Sequence, residues 1–206
     1  MTRSRPTIGF RYSVTNVAEA IRTVPIAAES EERGAMYYLE TIIPEQGQVI
    51  LSELVTLLQD AVASGASVGF LPPLSEEEAR EYWTSVLEDI AQKKRVLLIA
   101  RHSTQVVGAV QLELATKANA QHRAEVQKLF VLQQERQRGI GRLLMQAIEP
   151  IARERGRTLL VLDTRLGDHA ERLYRKLGYV EAGIIPSYAR NAAGTLGATI
   201  FFYKLL

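Results

Sequence analysis

The apolar positions of the chain switch repeatedly between two spacings, and the switches mark out its elements. "MYYLETII" (36–43) is rich in aromatic and β-branched residues and reads as a strand that Pro44 ends. Val49, Leu51, Leu54, Val55, Leu57, Leu58, Ala61 and Val62 recur at helical spacing, which predicts a helix stopping before "SGASVGFLPP". Ser75 with Glu78 three residues on is a capping-box pattern, and the helix it opens carries Trp83, Val86, Leu87 and Ile90. "RVLLIARHSTQVVGAVQLELA" then predicts an antiparallel hairpin turning at His102-Ser103-Thr104, and "RAEVQKLFVL" predicts a further strand. Ile140, Leu143, Leu144, Ala147, Ile148, Ile151 and Ala152 form the most complete helical stripe in the chain. Pro150 lies inside it and lacks an N–H, which predicts a kink or a helix shorter by a turn.

"TLLVLDT" is a continuous apolar run, as for a strand buried on both faces. Asp168 and Glu171 resemble a second capping box, opening a short helix with Ala170, Leu173, Tyr174 and Leu177 on one face and Gly178 as its stop. Two last strands, "YVEAGII" and "TIFFYKLL", flank the loop "PSYARNAAGTLGA". The order β-α-α-β-β-β-α-β-α-β-β predicts an α/β or α+β sheet with helices packed on it. The length of 206 residues suits one domain, taken as 36–206. Residues 1–35 form an extension ending in the linker or turn "AESEERGA". In that extension Arg3, Arg5 and Arg11 precede the first acid, Glu19, a composition shared by an accessory arm or strand and an organellar transit segment.

Composition narrows the chemistry. A net charge of +2 argues against nucleic acid as a partner, and no apolar run is long enough to span a bilayer, so a cytoplasmic protein is expected. The absence of cysteine removes disulfides, zinc–thiolate sites and thiol nucleophiles. His102, His122 and His169 lack metal-ligand spacing, so no metal is expected.

The charge that matters is local: Arg136, Arg138 and Arg142 surround Gly139, Ile140 and Gly141 at the mouth of the striped helix. Glycines there let backbone N–H groups approach an anion, and the helix N-terminus adds unpaired donors and a positive dipole end. This predicts a diphosphate site; a solvated basic loop capping a core helix is the plainer alternative. A Walker loop (GxxxxGK[ST]) is absent, and a dinucleotide GxGxxG fails because Leu144 stands at its third glycine.

"VLQQERQRGIGRLLM" resembles the R/Q-x-x-G-x-G/A signature of the GNAT N-acetyltransferase superfamily, and "AERLYRKLGY" resembles that superfamily's second signature. "GASVGF", "HRAEVQKLFVL", "VLDTRLGDHAERLY" and "IPSYA" are similar to its tabtoxin-resistance subgroup, the likeness covering about Ile50 to Leu206. The resemblance implies a mixed, mostly antiparallel sheet whose two central parallel strands splay apart, with flanking helices. It implies acetyl-CoA as co-substrate in that cleft, its pantetheine on the backbone of Leu129, Phe130 and Val131 and its diphosphate on the amides from Arg136 to Arg142, Gly139, Ile140 and Gly141 included.

Acetyl transfer from a thioester to an amine needs a base to neutralise the amine, donors for the oxyanion and an acid for the leaving thiolate. Glu125 and Asp163 are the candidate bases, since a carboxylate in an apolar strand is unfavourable unless it is partnered or used. A surface pairing of Glu125 with Arg123 or Lys128, and a loop-capping role for Asp163, are the structural alternatives. Tyr174 occupies the superfamily's general-acid position, although its spacing alone also fits a core residue. A backbone amide of Leu129 or Phe130 is the implied oxyanion donor. Ser67, Phe70 and Tyr188, in the two most irregular loops, are the candidate acceptor-binding residues, and the subgroup implies a small amino-acid-like toxin or antibiotic. A homodimer is the candidate assembly. A non-catalytic acyl-CoA sensor is the competing function.

Overall fold

The computed structural model describes residues 36–206 together with the backbone of Ile26–Glu29. The elements are β1 (Ile26–Glu29), β2 (Met36–Thr41), α1 (Pro44–Val49), α2 (Leu51–Ala63), α3 (Glu76–Ala91), β3 (Arg95–His102), β4 (Gln105–Leu114), β5 (Arg123–Val131), α4 (Ile140–Glu154), β6 (Leu159–Arg165), α5 (His169–Lys176), β7 (Val180–Arg190) and β8 (Leu196–Leu205). They build one sheet ordered β1-β2-β3-β4-β5-β6-β8-β7, in which β5–β6 is parallel and every other pairing antiparallel. The mixed, mostly antiparallel sheet expected from the sequence is therefore present. Apart from β1, which pairs with β2, the arm or transit segment and most of the linker fall outside the described residues.

β3 and β4 are buried along nearly their whole length, because α2 and α3 pack on the strands β3–β5 from one side and α4 from the other. Trp83 of α3, fully buried, meets the Phe130 ring of β5 edge to face at 6.3 Å and so fixes α3 over the sheet. The Ser75–Glu78 capping box forms in both directions, each N–H to side-chain oxygen distance being 3.1 Å. No helix of the described residues is long and apolar enough to cross a membrane.

Five local expectations are corrected. Pro44 does not merely end a strand: it opens α1 as a first-turn proline, where its missing N–H has no intrahelical partner to lose. α1 thus precedes the helix expected across 49–62, which is α2, and the two part at Ile50. Pro150 does not shorten α4, which continues to Glu154, since Ile148 and Ala152 on either side of it are fully buried and hold the segment on the sheet. β6 is not buried on both faces: Leu160 and Leu162 are buried, Val161 is half-buried and Asp163 exposed, because only one side of this strand is covered. Asp168 caps α5 at Ala170 N–H, but Glu171 reaches past it to accept from Gly167 N–H at 2.9 Å, so the pair is not a capping box. A fifth difference lies at the C-terminus, where a bulge between Ile185 and Ala189 carries β7 to Arg190 and leaves only 191–195 as loop.

Two features of β5 position everything that follows. Its pairing with β6 lasts only from Arg123↔Leu159 to Glu125↔Val161, after which the strands part. Between Gln111↔Gln127 and Ala109↔Phe130, β5 also carries one residue more than β4, a bulge at which Lys128 takes a left-handed φ of 52°. α4 seats itself beside this bulge on Gly108 of β4. A Cβ at Gly108 would lie 3.0 Å from the Phe130 carbonyl oxygen and 3.2 Å from both Ile140 and Leu144.

Gly108→Val is therefore expected to destabilise the fold by about 1–3 kcal/mol through overpacking. Urea unfolding reads this as a lower midpoint, and an unchanged midpoint would show that α4 does not depend on that close approach.

Candidate active site

Where β5 and β6 part, the gap opens into a cleft of about 1390 Å³ bounded by the 64–68 segment, the second half of β5, the N-terminus of α4, the end of β6 and one side of α5. The β6-facing edge of β5 has no strand partner beyond Glu125, so an extended ligand can add itself there as a strand would. Leu129 and Val131 are half-buried on the cleft wall, whereas the Phe130 side chain turns into the core and offers only its backbone. The carbonyl of Val131 already accepts from Arg136 Nε at 3.0 Å.

α4 begins without any side-chain cap and with no acid in its first turn. Its N-cap, Gly139, adopts φ 81°, a left-handed conformation that favours glycine. The amides of its first turn thus face the cleft unpaired, with the helix dipole behind them, which fits a diphosphate. The three arginines do not contribute equally. Arg136 is engaged by the Val131 carbonyl, by Ser64 Oγ at 2.5 Å and, more loosely, by Asp60 at 3.9 Å, so it ties the loop to α2 instead of standing free. Arg138 pairs with Glu135 at 2.9 Å, and Arg142 makes no ion pair among the described residues. The sequence places three full charges at this turn. Nearby Asp60 and Glu135 neutralise two of them.

At the other end of the cleft stand Glu125, Asp163 and Tyr174. Glu125 accepts from Gln127 Nε2 at 2.9 Å, two residues along the same face of β5, and forms no ion pair with Arg123 or Lys128 among the described residues. Gln127 is held in turn by Arg95, whose guanidinium also reaches Gln111, Asp89 and Glu113. Among the described residues Asp163 makes no hydrogen bond to a side chain or loop; partial burial and then the nearby Glu125 charge raise its carboxyl above the usual range, while Lys128 pulls it back down. Lys128 is close enough to both acids to feel their charge, donates to the Val68 carbonyl at 2.6 Å and is held below the ordinary lysine range chiefly by burial. Tyr174 is buried, its ring 6.0 Å from Phe202 and 5.9 Å from Tyr179, and burial, then the charges of Asp163 and Asp168, push its hydroxyl well above the ordinary phenol range.

The structure thus brings Glu125, Asp163, Tyr174, Leu129, Val131, Arg136 to Arg142 and Ser67 around one cleft. It leaves Phe70 and Tyr188 off the lining: the Phe70 ring packs on Tyr82 at 5.3 Å, and the Tyr188 ring on Phe201 at 5.5 Å. Lys128 and Arg95 were not among the sequence candidates. A lysine inside a strand was the only available signal for the first; the second depends on β3, β4 and β5 lying side by side, which no local pattern shows.

The sequence profile of the Acetyltransferase (GNAT) family matches residues 52–179. A curated N-acetyltransferase of Azospirillum brasilense, from the hisH-hisA intergenic region, is 33% identical over 117 residues, which are 56% of this chain and 68% of that protein. Among solved structures, a ribosomal-protein-alanine N-acetyltransferase from Brucella melitensis has the same fold, with a TM-score of 0.69 at 23% identity, covering 82% of this chain and 99% of that one. A Salmonella typhimurium protein solved with its cofactor acetyl-CoA also shares the fold, at TM-score 0.69 and 15% identity, over 82% and 94% of the two chains.

Because the folded-state pKa of Asp163 is raised, the native state holds a proton more tightly there than the unfolded chain does. Its carboxylate therefore lowers stability above the raised pKa, and that penalty disappears below the ordinary aspartate value. Asp163→Asn is expected to melt at a higher temperature than the parent at pH 7, with the gap closing as pH falls through the carboxylate range; melting curves against pH check this.

Proposed function

The chain belongs to the GNAT acetyltransferase family and is an acetyl-CoA-dependent N-acetyltransferase, and from that premise we propose that it acetylates the primary amine of a small molecule by direct transfer, with residues 36–206 as the catalytic domain and 1–35 as an extension of it. One observation carries the reading: the parting of β5 from β6 joins an uncapped helix N-terminus at one end of the cleft to two carboxylates and a buried tyrosine at the other.

Acetyl-CoA supplies an acetyl group already activated as a thioester. The first-turn amides of α4, from Gly139 to Arg142, hold its diphosphate, with Arg142 adding a free charge and Arg138 a charge already shared with Glu135. The free edge of β5 at Leu129–Val131 aligns the pantetheine, and a backbone amide at Leu129 or Phe130 faces the carbonyl oxygen as negative charge grows on it. A primary amine is mostly protonated at neutral pH, so its proton must leave before its lone pair can act. Asp163 and Glu125 receive that proton, directly or through water. Asp163 suits the task because its raised pKa brings it closer to working pH. Tyr174, kept protonated by burial, gives a proton to the departing sulfur. The likeness to the tabtoxin-resistance subgroup supports an amino-acid-like toxin or antibiotic as acceptor.

Calorimetric titration with acetyl-CoA, followed by thiol release against a panel of small primary amines, tests the reading; absence of both binding and release would refute it. Tyr174→Phe is expected to lower kcat by about 10²-fold while leaving acetyl-CoA affinity within about twofold. Arg142→Ala is expected to do the reverse, weakening acetyl-CoA binding by about tenfold, as for loss of a charge-assisted hydrogen bond, with kcat at saturation little changed. Equal effects of the two variants on Kd would remove the division of the cleft into a binding end and a reacting end.

A further inference from the structure

α2 and α3 pack over β3–β5, and beyond Asp163 the same face of the sheet runs on across β6, β8 and β7 with no helix packed over it among the described residues. Residues opposite one another in antiparallel strands point to the same side. Asp163 is opposite Phe201, and Val161 is opposite Tyr203. Val161 is also the register partner of Glu125. Glu125, Val161, Asp163, Phe201 and Tyr203 therefore share one face. Their neighbours Leu162 and Phe202 are buried on the opposite one, where Phe202 meets Tyr174 of α5.

The bulge in β7 brings Tyr188 onto this open face, its ring edge against Phe201 at 5.5 Å and an interplanar angle of 87°. Tyr188 is 51% exposed and the nearby Ile185 46%. Phe201 and Tyr203 are only half-buried. The acceptor end of the cleft thus continues, one strand away from Asp163, into an uncovered shelf of aromatic and aliphatic side chains. The guanidinium that β6 puts on this face, Arg165 opposite Thr199, is held by Asp168 at 3.3 Å and the Gly65 carbonyl at 3.4 Å, and the shelf residues Tyr188, Phe201, Ile185 and Tyr203 themselves offer two hydroxyls and no charge, so the shelf favours an apolar acceptor body over the amino-acid-like one that the subgroup resemblance suggests.

We propose that this shelf is a specificity site which selects primary amines whose nitrogen carries a short arm ending in an aromatic or flat apolar group, the group lying on Phe201 and Tyr188 while the nitrogen reaches Asp163. The proposal rests on the reading of Asp163 as the group that takes the acceptor's proton, and it names the class of acceptor. Occupancy fits the strand geometry: directly opposed side chains stand about 5 Å apart at Cβ, so an arm of two carbons bridges Asp163 and the Phe201 ring. Offset or edge-to-face contact with two rings, beyond the apolar area covered, favours an aromatic group over an alkyl chain of similar length.

Calorimetric titration in the presence of coenzyme A compares 2-phenylethylamine with n-butylamine, and acetyl transfer to both is measured in parallel. The aromatic amine is expected to bind at least about tenfold more tightly. Phe201→Ala is expected to collapse that ratio, and Phe201→Leu, which keeps apolar bulk, to do so in part should the alanine variant fail to fold. Tighter aromatic binding that depends on Phe201 without acetyl transfer to any amine would uphold the shelf and strike the proposed reaction instead. Equal affinities, or a ratio that survives both Phe201 variants, would overturn the shelf. So would a self-associating protein whose dimer dissociates in Tyr188→Ala with the amine ratio unchanged, since the face would then belong to a second copy of the chain.

Discussion

The structure depends on a parallel strand pairing that stops early. β5 and β6 remain registered for Arg123, Ala124 and Glu125 and then separate, leaving the backbone of β5 without a neighbour in the middle of a sheet. Unpaired backbone groups inside a fold are unfavourable unless water or a ligand takes them. The gap persists because both strands are fixed on their other sides, β5 by β4 and β6 by β8. The bulge at Lys128 turns β5 away from β6, and Gly108 lets α4 lie close enough to aim its first turn into the opening. A break in one ladder therefore becomes a cleft with donors along its wall and at one end.

Electrostatic roles in this cleft follow from who is already engaged. Arg136 and Glu135 serve largely to hold the loop ahead of α4 in shape, through Val131, Ser64, Asp60 and Arg138. Arg142 remains available. The two carboxylates separate in the same way: Glu125 belongs to a polar chain running through Gln127 and Arg95 into the space under α3, where burial pushes the Tyr82 hydroxyl up to about 12 although Gln111 bonds to it. Asp163 stands at the cleft edge, perturbed by its surroundings but not tied to them. Two acids of one formal charge thus differ in chemistry because their neighbours differ.

The sequence by itself determined most of the elements, since helical stripes and strand runs record which side of each segment is buried. It also marked the mouth of α4, where Gly139 must take a positive φ and the first-turn amides need an acceptor. Glu125 and Asp163 stood out because a polar group at an apolar position calls for a reason, whereas Tyr174 stood out through the resemblance of "AERLYRKLGY" to the GNAT family's second signature, its spacing alone fitting a core residue. Local pattern failed where the outcome was set by a neighbour: the covering of only one face of β6, the helix continuing through Pro150 between buried Ile148 and Ala152, and the bulge that drew Tyr188 out of a loop and onto Phe201. Tertiary structure alone decided which arginine is free, which carboxylate is tethered and where the covered face of the sheet ends. Those properties belong to pairs of residues far apart in the chain, and a pair has no energy until the fold sets its distance.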